Sequence, residues 1–225
     1  DALQECRGAD AAFGTQELER QTQKLVTAIV ALDADVLGLI EIENDYGEGA
    51  ASSIATLVDA INARLGAGIY DYVDPGVPFI GSDAIAVGLI YKRATVAEKP
   101  GAHPAMLDDS VLASLGLADR APLFNGSSTS RVPLAASFVD KQTGGGFTVA
   151  VNHLKSKGQS GLSDANDPNF DQGDGQGFWN RRRADAALAL GRWLATDPTG
   201  SRDPDTVILG DLNAYAKEDP VRVLL

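Results

Sequence analysis

The sequence predicts an α/β fold arranged as a two-sheet α/β sandwich, and three observations predict it. Strand-like and helix-like segments alternate along most of the chain. Two consecutive strand-like segments, LAASFVD and FTVAVNHL, flank a turn containing Gly144, Gly145 and Gly146. They read as a hairpin, and a hairpin breaks a strictly parallel sheet. The composition is globular, with 225 residues, 44% of them hydrophobic and 22% charged. That length suits one α/β domain or two small ones, and it buries a core without disulfides or metals.

Taken in order, residues 15–32 read as a helix, because Leu18, Leu25, Ile29 and Leu32 recur at helical spacing. Thr15 is placed to cap its start. DADVLGLIEIE follows as a loop and a strand rich in Val, Leu and Ile, a run that suits burial on both faces. Residues 50–65 form a second amphipathic helix with Ile54, Leu57, Val58 and Ile61 inward. IYDYVDPG is a strand closed by a Pro-Gly turn, and AIAVGLIYK is another buried strand. Residues 99–130 are mixed, with a helical patch near Val111–Leu115 and a polar GSSTS, and read as a surface excursion. After the hairpin comes a Gly/Asp/Asn-rich loop over 158–177. A helix over about 178–196 turns Ala187, Leu190 and Leu194 inward. DTVILGDLNAY is a strand running into a loop, and EDPVRVLL begins a last helix. No internal repeat and no dividing linker is visible.

The formal charge of −12 argues against simple electrostatic adhesion to DNA or anionic lipid. It leaves a phosphodiester substrate open, since clustered carboxylates hold a divalent cation that in turn meets phosphate. No apolar run reaches the roughly 18 residues of a membrane helix, so no membrane insertion is expected. No protein partner is predicted. Asp1-Ala2-Leu3-Gln4 is no signal peptide, so any such segment is expected outside this chain. The single cysteine, Cys6, builds no internal disulfide framework.

Three strands end in polar residues that a core would not select: Glu41, the pair Asn152-His153, and Asp211 with Asn213. Strand ends hold a side chain rigidly while leaving it open to solvent. Glu41 and Glu43, two apart in a strand, are expected on one face. Glu41 reads either as a Mg²⁺ ligand or as a solvated carboxylate. In GDLN, Gly210 permits a sharp bend or a close backbone approach. Asp211 and Asn213 then suit the orienting of water and donation to a phosphate oxygen, or else a plain turn. His153 suits a proton relay or donation to a phosphoryl oxygen near neutral pH, or a core histidine bonded to backbone. His103, in a Pro-rich loop, carries no such role. Arg131 is placed to grip phosphate bidentately. Lys155 and Lys157 read as phosphate-holding or as a solvated pair, and Arg181-Arg182-Arg183 as mainly a solvated helix face. The DQGDGQG loop offers oxygens to Ca²⁺ but lacks EF-hand spacing, so it reads more readily as a plain loop.

The ordered set LIEIEN, VNHLKSKG and GDLNAY resembles the endonuclease/exonuclease/phosphatase superfamily, the DNase I-like fold. CRGAD, DADVLGLIEIEND, YVDPG, DAIAVGLIYK, DQGDGQGFWN and GDLNAYAKEDP resemble one branch of it more closely, the large bacterial extracellular nucleases. Each segment is weak alone; their shared order over nearly the whole chain is specific. The resemblance implies that Glu41 binds metal, with Glu43 a weaker candidate. It implies that His153 contacts the scissile phosphate, that Asp211 lies near the nucleophilic water and that Asn213 lies near metal and phosphate. It extends to Arg131 and Asn152 as phosphate contacts and to Asp74 as an acidic partner of the histidine. Mg²⁺ is the implied cofactor, with Mn²⁺ or Ca²⁺ as substitutes, and the implied reaction is in-line attack of water on phosphorus. The implied substrate is DNA, with RNA second, and the implied setting is secreted or on the cell surface. Residues 1–225 then form one such domain, incomplete at both ends: a first strand bearing an asparagine and a late Asp-His segment are expected outside it, leaving sheet edges unpaired. Cysteines that relatives carry near KSKG and GQG-WN are replaced by Gln159 and Phe178. A phosphatase or phospholipid phosphodiesterase of the same fold, and a non-catalytic surface-binding module, are the alternative readings.

Overall fold

Apolar strands with period-two or continuous hydrophobicity must bury their faces, and here they do so against one another in two stacked sheets. The computed structural model describes residues 14–225; Cys6 and the CRGAD segment lie outside the described residues. The first sheet holds β1 (Val36–Glu43), β2 (Tyr70–Tyr72) and β3 (Ile85–Lys92) in the order β1-β3-β2, with both pairings antiparallel. The second holds β4 (Val96–Glu98), β5 (Ala105–Met106), β6 (Leu134–Asp140), β7 (Gly146–His153) and β8 (Thr206–Asp211). Its path is β4-β6-β7-β8, with β5 also on β6. The expected hairpin is β6–β7, with Leu134 opposite Val151. The β7–β8 pair is parallel and places His153 beside Asp211.

Between the sheets, β3, β6 and β7 supply a core that includes Val87, Leu89, Leu134, Phe138, Val149 and Val151. The close approach of the layers falls at Gly38 of β1, where a Cβ would run into Leu209 Cδ1 and lie 3.1 Å from Val151 Cγ2. Helix α2 (Ser53–Leu65) begins at an N-cap Ser52 whose hydroxyl accepts from Ala55 N and buries Ile54, Val58 and Ile61, with Leu57 half-buried against the core. Helix α1 (Gly14–Leu32) packs on α2. Helix α3 (Asn180–Leu194) contacts α4 (Asp219–Leu224), with Ala187 and Leu190 of α3 buried and Leu194 packed against the core.

Several sequence expectations are corrected. Thr15 lies within α1 and does not precede it. The buried stripe of α1 is Val26 and Ile29 with Val30, whereas Leu18, Leu25 and Leu32 are exposed. Those three leucines are seven apart and share one stripe, but α2 meets the adjacent one. Strand β1 is not buried on both faces, because it lies at a sheet edge; the central β3 is. Residues 99–130 are no surface excursion: Leu107, Leu112, Leu117, Leu123 and Phe124 join the core, and β5 pairs with β6.

Candidate active site

Antiparallel pairing brings the C-terminal end of β1 to the N-terminal start of β3, with Glu43 opposite Ile85. Parallel pairing brings the C-terminal ends of β7 and β8 together. Stacking the sheets then gathers Glu41, Asp83, Arg131, His153 and Asp211 at one end of the sandwich. His153 Nε2 stands 3.9 Å from Glu41 Oε1 and 4.0 Å from Asp211 Oδ2. Both gaps exceed a direct hydrogen bond, so the imidazole faces a small space bounded by two carboxylates. Glu41 and Asp211 are open to solvent there, while the His153 side chain is almost wholly buried.

Glu41 reaches this position through a β-bulge. Leu39 and Ile42 of β1 face Gly88 and Ala86 of β3, leaving one extra residue on β1. Glu41 itself adopts φ +57°. Bulges re-aim side chains beside functional sites, and this one removes the strict alternation behind the same-face expectation for Glu41 and Glu43. Asn213 has φ +46°; its backbone N–H donates to Asp211 Oδ1 at 2.7 Å and its side-chain amide to the Leu154 carbonyl at 2.8 Å. That bond leaves the amide oxygen as the end offered to a ligand. Gly210 has φ +116°, and a Cβ there would run into the Asn152 backbone. The sequence reading of Gly210 as a close approach is therefore what the strand pairing uses.

Burial holds the His153 imidazole below its usual pKa; the Arg131 charge adds to this, while Asp211 and Glu41 oppose it. Near neutral pH the ring is therefore uncharged. Its Nδ1 is buried without a partner among the described residues. Arg131 donates its backbone N–H to His153 O at 2.9 Å, and its guanidinium lies 3.3 Å from Asp83 Oδ2.

Two predicted residues are not brought to the surface of this site. Asn152 is fully buried, and its amide donates to the carbonyls of Ala150 and Leu209; strand alternation turns it away from His153, and it ties β7 to β8. Asp74 accepts from Gly76 N at 2.8 Å, closing its own DPG turn, and the acid that accompanies the histidine and arginine is Asp83. Asp83 was legible as a polar residue opening an apolar strand, but only antiparallel pairing reveals that β3 starts where β1 ends. Asn44 was also missed. It is buried, donates to the carbonyls of Ile80 and Asp83, and accepts from Ile80 N, and so fixes the loop that presents Asp83. Arg183, expected on a solvated face, is fully buried and donates to the carbonyls of Lys155, Phe178 and Gln176.

The donors suit a small hard cation. Mg²⁺ takes one or two carboxylates and fills its shell with water and substrate oxygens, and Glu41 with Asp211 and Asn213 offers that number. Among the described residues no group of three or more His, Cys, Asp or Glu side chains is arranged to hold a metal ion. In the 158–177 loop, Asp164, Asp167, Asp171 and Asp174 each accept a backbone N–H two residues on. Those carboxylates close turns.

The family model described as the Endonuclease/Exonuclease/phosphatase family matches residues 11–225. The chain belongs to this family, which includes nucleases, phosphatases and phosphodiesterases and whose enzymes generally use divalent metals. No curated protein matches the sequence. Among solved structures, the fold is similar to the human Nocturnin catalytic domain, at 17% identity and TM-score 0.55 over 91% of this chain and 60% of that one. It is similar to a mannosyl-6-phosphatase of Bacteroides thetaiotaomicron, at 14% identity and TM-score 0.59 over 98% of this chain and 66% of that one. It is also similar to a humanized D. rerio TDP2, at 13% identity and TM-score 0.53 over 93% of this chain and 61% of that one. The chain thus spans under two thirds of each of these structures. At such identities the likeness establishes the DNase I-like fold.

Proposed function

We propose that the protein hydrolyses phosphodiester bonds in nucleic acid, DNA first and RNA second, with the help of a divalent cation, in a secreted or surface setting. The observation that carries the reading is the buried imidazole of His153 standing about equally far from the Glu41 and Asp211 carboxylates. A phosphoryl group placed in that space meets His153 Nε2 as a hydrogen-bond donor. Asp211 lies where a water approaching phosphorus can be oriented and lose its proton. Arg131, held by Asp83, adds positive charge beside the non-bridging oxygens. A cation held by Glu41, Asp211 and Asn213, Mg²⁺ or Mn²⁺, supplies charge neutralisation for those oxygens when bound. The net charge of −12 favours a cation-dependent encounter with the polyanion over direct adhesion. The extracellular setting is supported by the ordered motifs of the sequence alone.

The test is nicking of supercoiled plasmid with Mg²⁺, with and without EDTA. EDTA-sensitive nicking that falls about 100-fold or more in both His153→Ala and Asp211→Ala is expected. Nicking that survives both substitutions places the chemistry elsewhere. A phosphomonoester such as p-nitrophenyl phosphate, run in parallel, separates phosphodiesterase from phosphatase action. Cleavage of the monoester alone overturns the nuclease reading in favour of the phosphatase.

A further inference from the structure

Two residues beyond His153, a lysine sits in an environment that the hydrolytic set does not explain. Lys155 is 7% exposed. Its Nζ donates to Ser156 Oγ at 3.0 Å and stands 5.7 Å from the centroid of the Trp179 ring. It makes no ion pair among the described residues, although buried lysines are almost always paired. Burial holds its pKa below the usual value, and Arg131, Arg183 and Arg182 push it the same way. The Trp179 ring carries a second cation, with the Arg182 guanidinium 5.0 Å from its centroid. Arg131 Nε is buried without a partner among the described residues. The acids near this group are Asp83, on Arg131, and Asp167, Asp109 and Asp185, which act on Arg182 only through their field.

The placement connects this group to the scissile position. The chain stays extended past His153: Leu154 N–H donates to Asp211 O, Arg131 N–H to His153 O, and Lys155 N–H to Ser130 Oγ. β7 ends at His153, and Lys155 follows two residues later on the segment that these bonds tie to Ser130 and Arg131. Arg131 is the foremost charged neighbour acting on both. A group of cations therefore extends beside His153 from Arg131 to Lys155 and Arg182, backed by a ring too buried to stack on a base.

We propose that Lys155, Arg131 and Arg182, arranged around Trp179, form a second anion subsite that holds the phosphate adjacent to the scissile one in a substrate carrying more than one phosphate. The cations are already desolvated and fixed by the fold, so an arriving phosphate meets preorganised, charge-assisted donors. The subsite deepens the phosphodiester reading above and rests on it for the identity of the neighbouring phosphate.

Two measurements test the subsite. In the first, pyrophosphate and orthophosphate are titrated in EDTA while tryptophan emission is followed, using Trp193→Phe as the background so that Trp179 alone reports, since the chain has two tryptophans. Pyrophosphate is expected to bind more tightly than orthophosphate, to lose about tenfold in affinity in Lys155→Met and to keep it in Lys155→Arg. Arg182→Gln should weaken it likewise, and carries the test if Lys155→Met does not fold by circular dichroism. In the second, a thymidine dinucleotide with and without a terminal phosphate is hydrolysed. The phosphorylated form should be preferred through KM, and Lys155→Met should remove that preference. Equal loss on both dinucleotides, or a preference unchanged by Lys155→Met, overturns the subsite. If the wild-type protein hydrolyses neither, Lys155-dependent pyrophosphate binding still supports the subsite while the hydrolytic reading falls, and binding that ignores Lys155 and Arg182 overturns the subsite alone.

Discussion

Glu41 combines a left-handed backbone, φ +57°, with a solvent-facing carboxylate beside His153. A Cβ in that conformation costs about 1 kcal/mol that glycine avoids. Glu41→Gly and Glu41→Ala both remove the carboxylate and should both abolish hydrolysis. Chemical denaturation should nevertheless find the glycine variant more stable than the alanine variant by about 1 kcal/mol; equal stabilities would mean the conformation is not strained. His153 makes a second prediction at this scale. Its pKa lies below the ordinary 6.5 because of burial and the Arg131 charge. Between that lowered value and 6.5 the unfolded chain binds a proton that the folded chain does not. The associated stability is therefore fully present above pH 6.5 and is lost as pH falls through the window. Imidazole NMR of the metal-free protein should show a His153 midpoint below 6.5, and a midpoint at or above it would contradict the burial argument.

At the scale of elements, β1 shows how a strand serves two demands at once. Its N-terminal half packs so tightly on the second sheet that Gly38 has no room for a Cβ against Leu209 and Val151. Its C-terminal half departs from regular pairing at the bulge that presents Glu41. Gly38→Val should overpack this layer contact and cost about 1–3 kcal/mol in urea unfolding; a neutral result would show that the sheets can slide apart there. Arg183 is the comparable feature of α3. One buried guanidinium bonds three carbonyls from the 155 and 176–178 segments, so the helix start holds the loops that carry Lys155 and Trp179.

At the scale of the whole molecule, both sheets end, among the described residues, in edge strands on the same side. β1 and β8 are edges, they contact each other, and Ile40 and Val207 are exposed upon them, as are Leu25 and Leu32 on α1. Exposed apolar edges template pairing with another chain, and edge lysines suppress it. The described fold should therefore self-associate at high concentration, and the pair Ile40→Lys with Val207→Lys should lower the apparent mass in light scattering without loss of secondary structure. A monomer at all concentrations would show that these edges are already shielded.

The sequence by itself determined the fold class, the hairpin, most strands and helices, and four of the five residues that meet at the site. These features are local: apolar periodicity, turn glycines, and polar residues placed where strands end. Only the tertiary structure decided the rest. The inward face of α1 depended on where α2 lay, since two apolar stripes ran side by side on the helix. The edge position of β1 was invisible because Val, Leu and Ile suit edge and centre alike. Asp83, and not Asp74, is the acid near His153 because antiparallel pairing, and not spacing along the chain, sets which strand start meets which strand end. Asn152 turned away from His153 because a strand alternates its side chains, and both are buried because β7 is covered on both faces. Arg183 read as mainly a solvated charge, and Lys155 as either phosphate-holding or solvated, because a formal charge in a sequence carries no record of its desolvation, which is a property of the packed molecule.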